Sequence, residues 1–364
     1  MMQKSRLNYL QKTSNILFIL IALTAILFFA EPLLAPLAFA LVLSMLLTPL
    51  SKKLEKWGFN RGVAAVISIM ALILTFVIII GLLSWQMSNI TQDLDQIKSR
   101  LSDVTGQMQA FISSHTGIKV KQQQEMIKNA DTGSPLGMLA QTTGNFLGFL
   151  VNMILVLVYI FLILYFRDHL MKFIQKAVPA DEKENVAGLV HEASHVSQQY
   201  LGGLAIMIMT LWVMYGIGFS IVGVKYAIFF AILCGTLEII PFIGNITGTT
   251  LTVLMGVVQG GDLKLIAGIL ITYGLVQFIQ SYILQPLIVG KQVDLNPLFT
   301  IVSIIIGDAV WGVPGMILAV PVFGMLKIFC DHFEPLKPYG FLLGGDGNDK
   351  KSSGIIEKIK SLLK

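Results

Sequence analysis

Apolar runs of about the length that crosses a bilayer recur along nearly the whole chain. The hydrocarbon core of a membrane is about 30 Å thick, so a spanning helix needs about 20 consecutive apolar residues. Of the 364 residues, 55% are hydrophobic and only 13% are charged, whereas about 25% of the residues in soluble domains are charged. The sequence therefore predicts an all-α polytopic membrane protein.

We interpret six of these runs as full spans: 16–30, 32–50, 63–85, 146–166, 201–222 and 263–287. Lysines and arginines cluster in the short loops beside them, notably at 52–61 and 167–183. Such clusters mark the cytoplasmic side of a membrane protein. We therefore predict a multi-pass protein of the inner (cytoplasmic) cell membrane, with both termini in the cytoplasm and residues 88–145 outside.

The segment after the third span carries a heptad pattern. Its apolar residues alternate in steps of four and three at Ile90, Leu94, Ile97, Leu101, Val104, Met108 and Phe111. This is the a/d spacing of a coiled-coil seam, which a lone helix cannot bury, so we expect a homo-oligomer. Residues 88–145 are otherwise polar. They form either a solvated extramembrane domain or an oligomerisation or gating module.

Polar and helix-breaking residues interrupt the apolar run that begins at Tyr226. Glu238 brings a carboxyl group, Pro241 removes a helix hydrogen bond, and Gly244 weakens the helix. In a bilayer, irregular backbone is tolerated only where it is buried in protein or lines a watery cavity, and a carboxylate there is costly enough to indicate a function. Residues 226–258 are too few for two full spans, which need about 40 apolar residues. We therefore predict a re-entrant helical hairpin.

A second apolar element, residues 297–329, is interrupted in a similar way. Its first segment is too short to span a membrane, and Gly307 and Asp308 break the run. Two broken segments that enter from opposite sides indicate a transporter site built on inverted halves. The alternative is that Asp308 only caps the following helix at its N-terminus.

These elements supply the predicted substrate or ion pathway. We expect Glu238 to take up and release a proton, because its charged form is costly at membrane depth. The alternative is a structural carboxylate that is hydrogen-bonded between helices. Threonine and asparagine side chains of the first broken element would hydrogen-bond a small polar solute or water, and two glutamines make one face of the sixth span partly polar. The predicted pathway residues are Thr236, Glu238, Pro241, Gly244, Asn245, Thr247, Thr249, Gln277, Gln280 and Asp308.

The sequence HEASH at 191–195 matches the HExxH pattern, in which two histidines one helical turn apart bind zinc beside a glutamate that acts as general base. A zinc protease also needs a third protein ligand. The histidines elsewhere stand in no downstream ligand motif: His115, His169 and His332. We interpret His191, Glu192 and His195 as a solvated helix face and keep a membrane zinc metalloprotease as the alternative. No metal, other cofactor or nucleic-acid partner is predicted.

Four segments together resemble the autoinducer-2 exporter family: YLGGLAIMIMTLW from Tyr200, LEIIPFIGNITG from Leu237, LQPLIVGKQVDLNPLF from Leu284, and GVPGMILAVPVFGM, which ends at Met325. The resemblance covers most of the chain and is most specific in its last third. It implies a polytopic fold, a homo-oligomer, taken here as a pentamer, and the export of small solutes. In that family some members are linked to quorum sensing and others to cation/proton exchange.

The expected function is that of a secondary carrier or permease that exports a small polar solute, such as an autoinducer-2-like molecule, with proton coupling. A cation/proton antiporter of the same fold is the alternative, and so is a scaffold that acts through its outer coiled coil. No enzymatic activity is expected. The expected division is N-terminal spans (1–87), extracytoplasmic domain (88–145), fourth span with a cytoplasmic amphipathic helix (146–200), transport core (201–334) and basic cytoplasmic tail (335–364).

Overall fold

The computed structural model describes residues 2–91, 99, 106, 135–179, 183–240, 243–289 and 295–345. In these ranges all regular structure is helical and no strand occurs, which confirms the all-α prediction. Most of the predicted heptad seam and of the 88–145 domain lies outside the described residues, as does the basic tail beyond residue 345.

The described chain folds into helices in the following order: α1 (Met2–Phe29), α2 (Glu31–Lys56), α3 (Arg61–Thr91), α4 (Pro135–Ala177), α5 (Lys183–Val222), α6 (Ala227–Leu237), α7 (Ile243–Val258), α8 (Leu263–Ile279), α9 (Pro297–His332) and α10 (Lys337–Leu343). Helix α8 continues directly as a π-helix, Gln280–Val289, and a 3₁₀ turn, Glu334–Leu336, precedes α10.

Polar side chains fix the start of two helices. The Asp262 side chain accepts a hydrogen bond from the Leu265 N–H at the start of α8, and Asn296 accepts one from the Leu298 N–H at the start of α9. These side chains satisfy backbone donors that have no partner inside the helix. Pro297 follows as the first residue of α9, a position that tolerates proline because no N–H is needed there.

Six helices among the described residues are long and apolar enough to cross a membrane: Glu31–Lys56, Arg61–Gln86, Leu150–Ala177, Val186–Val222, Leu263–Gln285 and Pro297–His332. Five of them match the second to sixth predicted spans. The first predicted span, 16–30, corresponds to the shorter apolar stretch Leu17–Phe29 of α1. The sixth helix of spanning length is instead α9, which contains the second broken element.

Helix α9 folds back on itself in the middle. Trp311 and Gly312 leave the helical conformation, and Gly312 adopts a φ of 59°, a value that favours glycine. Gly307 and Gly315 approach so closely that a Cβ on either would overlap the backbone of the other. Eight residues along a straight helix would lie about 12 Å apart, so the chain reverses here. α9 is therefore a helical hairpin, and its break lies a few residues later than the sequence indicates.

Helices α6 and α7 form the other helical hairpin. A Cβ on Gly248 would overlap Cys234, and one on Gly244 would overlap the carbonyl group of Leu237. These paired contacts run in opposite directions along the chain, so the two helices are antiparallel and pack closely at their glycines. Pro241 and Phe242, between them, lie outside the described residues. That either hairpin is re-entrant with respect to a membrane stays a prediction.

The chain divides into two compact units. The first comprises Met1–Ala65, Leu155–Tyr200 and Lys291–Lys364, and in it α9 packs against α1, α2 and α10. The second comprises Val66–Ile154 and Leu201–Gly290, and in it α7 packs against both α6 and α8. The first broken element and its glutamine-bearing neighbour α8 thus belong to the second unit, and Asp308 belongs to the first.

Candidate functional site

Glu238 lies buried at the C-terminal end of α6, where the α6–α7 hairpin begins to turn, and is 8% exposed. Its Oε1 accepts a hydrogen bond of 2.8 Å from Nε2 of Gln280. Gln280 is the first residue of the π-helix that follows α8 and is also buried. A buried carboxylate therefore accepts a hydrogen bond from an amide group that lies 42 residues further along the chain, on a different helix.

A second hydrogen bond connects the hairpin with the same helix. The side-chain amide of Asn245, near the start of α7, donates to Oε1 of Gln277. Gln277 precedes Gln280 by three residues, a spacing that places both glutamines on one face of a helix. The structure thus brings three buried residues, Glu238, Asn245 and Gln280, together with the half-buried Gln277 in one polar cluster, which we call the Glu238 cluster.

Three oxygen atoms at this cluster lack a hydrogen-bond partner in the part of the chain that the structure describes. They are Oδ1 of Asn245, Oε1 of Gln280 and Oγ1 of Thr249, which lies one helical turn beyond Asn245. All three are shielded from solvent. An unsatisfied buried polar atom costs about 1–3 kcal/mol, so the cluster favours a small guest that supplies donors or positive charge.

The remaining predicted pathway residues have different surroundings. Thr236 accepts a hydrogen bond of 3.2 Å from the indole N–H of Trp212. Gly244 allows the close approach of α6 and α7, whereas Thr247 is exposed on α7. Pro241 lies outside the described residues. Asp308 is exposed and still helical in the first arm of α9, three residues before the break at Trp311–Gly312, so its place in the pathway and its place as a cap of the following arm both stay predictions.

Thr252 and Trp212, which are not among the predicted pathway residues, also lie near the Glu238 cluster: Thr252 on the α7 face of Asn245 and Thr249, and Trp212 as the partner of Thr236. Thr252 is fully buried; its hydroxyl donates to the Gly248 carbonyl, 2.8 Å away, and lies 3.5 Å from the Cys234 sulfur. Asn245, Thr249 and Thr252 recur at i, i+4 and i+7, which is the signal that indicates one helix face. The indole ring of Trp212, on α5, packs against Gly235 of α6. A Cβ at Gly235 would overlap the ring.

The HEASH residues lie on the surface of α5. His191, Glu192 and His195 are exposed, the two imidazole centroids are 6.4 Å apart, and His195 contacts Gln199. No group of three or more histidine, cysteine, aspartate or glutamate side chains that could hold a metal ion occurs among the described residues.

Six apolar helices of spanning length, one of which (α9) folds into a hairpin, a second hairpin made by α6 and α7, and a buried carboxylate define a multi-pass membrane protein of the transporter class. The chain belongs to the AI-2E transporter family, because that family's sequence profile matches residues 17–334. This finding confirms the resemblance stated from the sequence segments.

Related proteins carry provisional names of the same kind. A transport protein of Haemophilus influenzae (strain ATCC 51907 / DSM 11121 / KW20 / Rd) is 25% identical over 350 residues, which cover 94% of this chain and 98% of that protein. The transport protein YrrI of Bacillus subtilis (strain 168) is 22% identical over 82% of this chain and 86% of its own. The permease PerM of Escherichia coli (strain K12) is 24% identical over 86% of this chain and 90% of its own.

Proposed function

We propose that this protein is a secondary carrier that exports a small polar solute, and that Glu238 takes up and releases the coupling proton. The observation that carries the proposal is the Glu238 cluster itself: a buried carboxylate with one amide donor, next to three buried oxygen atoms without partners. Direction of transport follows from the family resemblance.

The proton step rests on the chemistry of one hydrogen bond. The ionised carboxylate of Glu238 accepts from Gln280, and this charge-assisted bond is stronger than a neutral one. Protonation removes the charge and weakens the bond, which releases the π-helix end of α8 from the hairpin. Uptake of a proton thereby couples to a change in the contact between α8 and the α6–α7 hairpin, the kind of broken element on which carriers build their sites.

Solute selection rests on the free oxygen atoms. Asn245, Thr249 and Gln280 present acceptor oxygen atoms that are shielded from solvent and lack donors in the described chain, so a matching solute carries donors such as hydroxyl groups. A neutral, hydroxyl-bearing molecule of the autoinducer-2 kind satisfies this condition. An anionic solute does not, because it would meet a carboxylate and unpaired acceptors.

A cation/proton antiporter is the second candidate, and the same oxygen atoms favour it. Hard cations bind to carboxylate, amide and hydroxyl oxygen atoms. The C-terminal end of α6, next to Glu238, adds the negative end of a helix dipole. In this variant of the proposal an alkali cation and a proton compete for Glu238.

Transport in proteoliposomes with an imposed pH gradient tests the proposal. The wild type is assayed against a panel of small hydroxylated solutes and alkali cations, and Glu238→Gln is compared with Glu334→Gln, a control at a carboxylate whose side chain is 82% exposed. We expect gradient-driven transport of at least one solute class by wild type and control, and none by Glu238→Gln. Gradient-driven transport by Glu238→Gln at the wild-type rate would contradict the proposal.

We further propose that both termini are cytoplasmic, that the two hairpins are re-entrant, and that the protein assembles as a homo-oligomer, with five copies from the resemblance. The division into N-terminal spans, outer domain, fourth span, transport core and basic tail is kept as part of this proposal. Its support is the distribution of lysine and arginine in short loops and the heptad spacing after the third span.

A further inference from the structure

Two ion pairs join the corner between α2 and α3 to the C-terminal part of α4 in the first unit. Arg61 Nη2 lies 2.6 Å from Asp168 Oδ2, and Arg167 Nη2 lies 2.5 Å from Glu55 Oε2. The pairs connect residues more than 100 positions apart along the chain. We call these four residues the corner cluster.

An excess of positive charge surrounds the corner cluster. Its two acids neutralise its two arginines, but exposed lysines lie beside it at Lys52, Lys53, Lys56, Lys172 and Lys176. No ion pair among the described residues includes any of them. Within the cluster, Nε and Nη1 of Arg167 are buried and have no hydrogen-bond partner in the described chain, although Nε lies 3.6 Å from Asp168 Oδ1 as an ion pair. The corner is therefore a basic surface whose positive charge is only partly balanced by its own carboxylates.

The corner lies at the ends of helices that are long enough to span a membrane. α2 ends at Lys56 and α3 begins at Arg61, so the connecting loop falls at the level where lipid headgroups meet the hydrocarbon core. Exposed aromatic side chains occupy the same place: Trp57 is 68%, Phe59 44% and Phe173 66% exposed. Aromatic rings next to basic residues are typical of the membrane interface.

We propose that the corner binds the headgroup of an anionic phospholipid, with its phosphate contacted by Lys52, Lys56 and Lys172. Lys52 and Lys56 are one helical turn apart on α2, and Lys172 is one turn beyond Asp168 on α4, so the three flank the corner cluster. Trp57 and Phe59 contact the first carbons of the acyl chains. The apolar exposed surface favours a lipid over free phosphate, because inorganic phosphate would leave these rings in water.

Lipid binding to the intact, detergent-solubilised protein tests the proposal. Native mass spectrometry measures the affinities for phosphatidylglycerol and for phosphatidylcholine in the wild type, in Lys56→Gln, and in the triple variant Lys52→Gln/Lys56→Gln/Lys172→Gln. Lys264→Gln, at an exposed lysine of the second unit, is the matched control. Because a basic residue near a membrane surface strengthens anionic-lipid binding by about fivefold, Lys56→Gln should lose about that factor for phosphatidylglycerol, and the triple variant should lose the preference altogether.

Three results of these binding measurements would overturn the proposal. Equal affinity of the wild type for both lipids means that the corner does not select an anionic headgroup. A preference that survives in the triple variant places the site elsewhere. Complete displacement of phosphatidylglycerol by millimolar inorganic phosphate means that the ligand is a free phosphate group and not a lipid. Thermal unfolding of the triple variant at the wild-type temperature excludes misfolding as the cause of lost binding.

Discussion

Replacing Gln280 with leucine removes the one side-chain donor seen on Glu238 in the described chain and keeps the residue's size. A hydrogen bond to a charged group contributes about 1.5–3 kcal/mol. The substitution withdraws this stabilisation from the ionised carboxylate, whereas the protonated form loses less. Since about 1.4 kcal/mol corresponds to a factor of ten in a protonation equilibrium, the ratio of protonated to ionised Glu238 at a fixed pH should rise by about tenfold or more.

The assay is solute efflux from proteoliposomes as a function of pH, without an imposed gradient. Gln280→Leu should move the pH midpoint of transport upward by about one to two units. Gln277→Leu is the matched control: it breaks the bond from Asn245 but leaves the Glu238–Gln280 bond in place. That control should change the transport rate without moving the midpoint. Identical midpoints in Gln280→Leu and the wild type would refute the assignment of the proton to Glu238.

Three further predictions concern packing, ion pairs and topology. Gly244→Ala should destabilise the protein by about 1–3 kcal/mol, because the new Cβ overlaps a carbonyl group across the hairpin. Gly274→Ala, where the new Cβ meets open space, is the control. Equal denaturation midpoints for the two variants would contradict the hairpin packing. Arg167→Gln should lower the free energy of unfolding more than Arg61→Gln, because the Arg167 side chain is 17% exposed and that of Arg61 37%, and exposed ion pairs contribute only about 0–1 kcal/mol. Chemical unfolding measures both variants. The reverse order would be evidence against the corner cluster. A cysteine at Ser102 should react with an impermeant reagent in intact cells, since residues 88–145 are proposed to lie outside; labelling that requires permeabilised cells would reverse the topology.

The sequence predicts most of the helices and the presence of two interruptions in them. Long apolar runs specify spanning helices, and Glu238 and Pro241 within such a run indicate a broken helix, because each is costly in the middle of a membrane helix. The sequence predicts the second break at Gly307 and Asp308, but the break lies at Trp311–Gly312. Gly307 is used instead for the close contact with Gly315, and a glycine that allows close packing has the same signature in a sequence as one that turns the chain.

Which side chains meet could not be derived from periodicity. The bond between Gln280 and Glu238 depends on how α8 packs against the α6–α7 hairpin, and no local pattern fixes that register. The sequence predicts all four of Glu238, Asn245, Gln277 and Gln280 as pathway residues, but it does not predict that Gln280 bonds Glu238 and that Asn245 bonds Gln277. The π-helix that begins at Gln280 was also unforeseen, since its only local signal is Pro286, which lacks a backbone N–H and is equally compatible with a helix end.

The most direct test of the central claim is a simultaneous measurement of proton and solute flux in proteoliposomes. In the wild type, a solute gradient alone should drive a proton flux, detected with a pH-sensitive dye inside the vesicles, in fixed proportion to the solute moved. Glu238→Gln, in which the residue cannot ionise, should move no protons even if it still exchanges solute down its gradient. A solute-driven proton flux of unchanged size in Glu238→Gln would contradict the account.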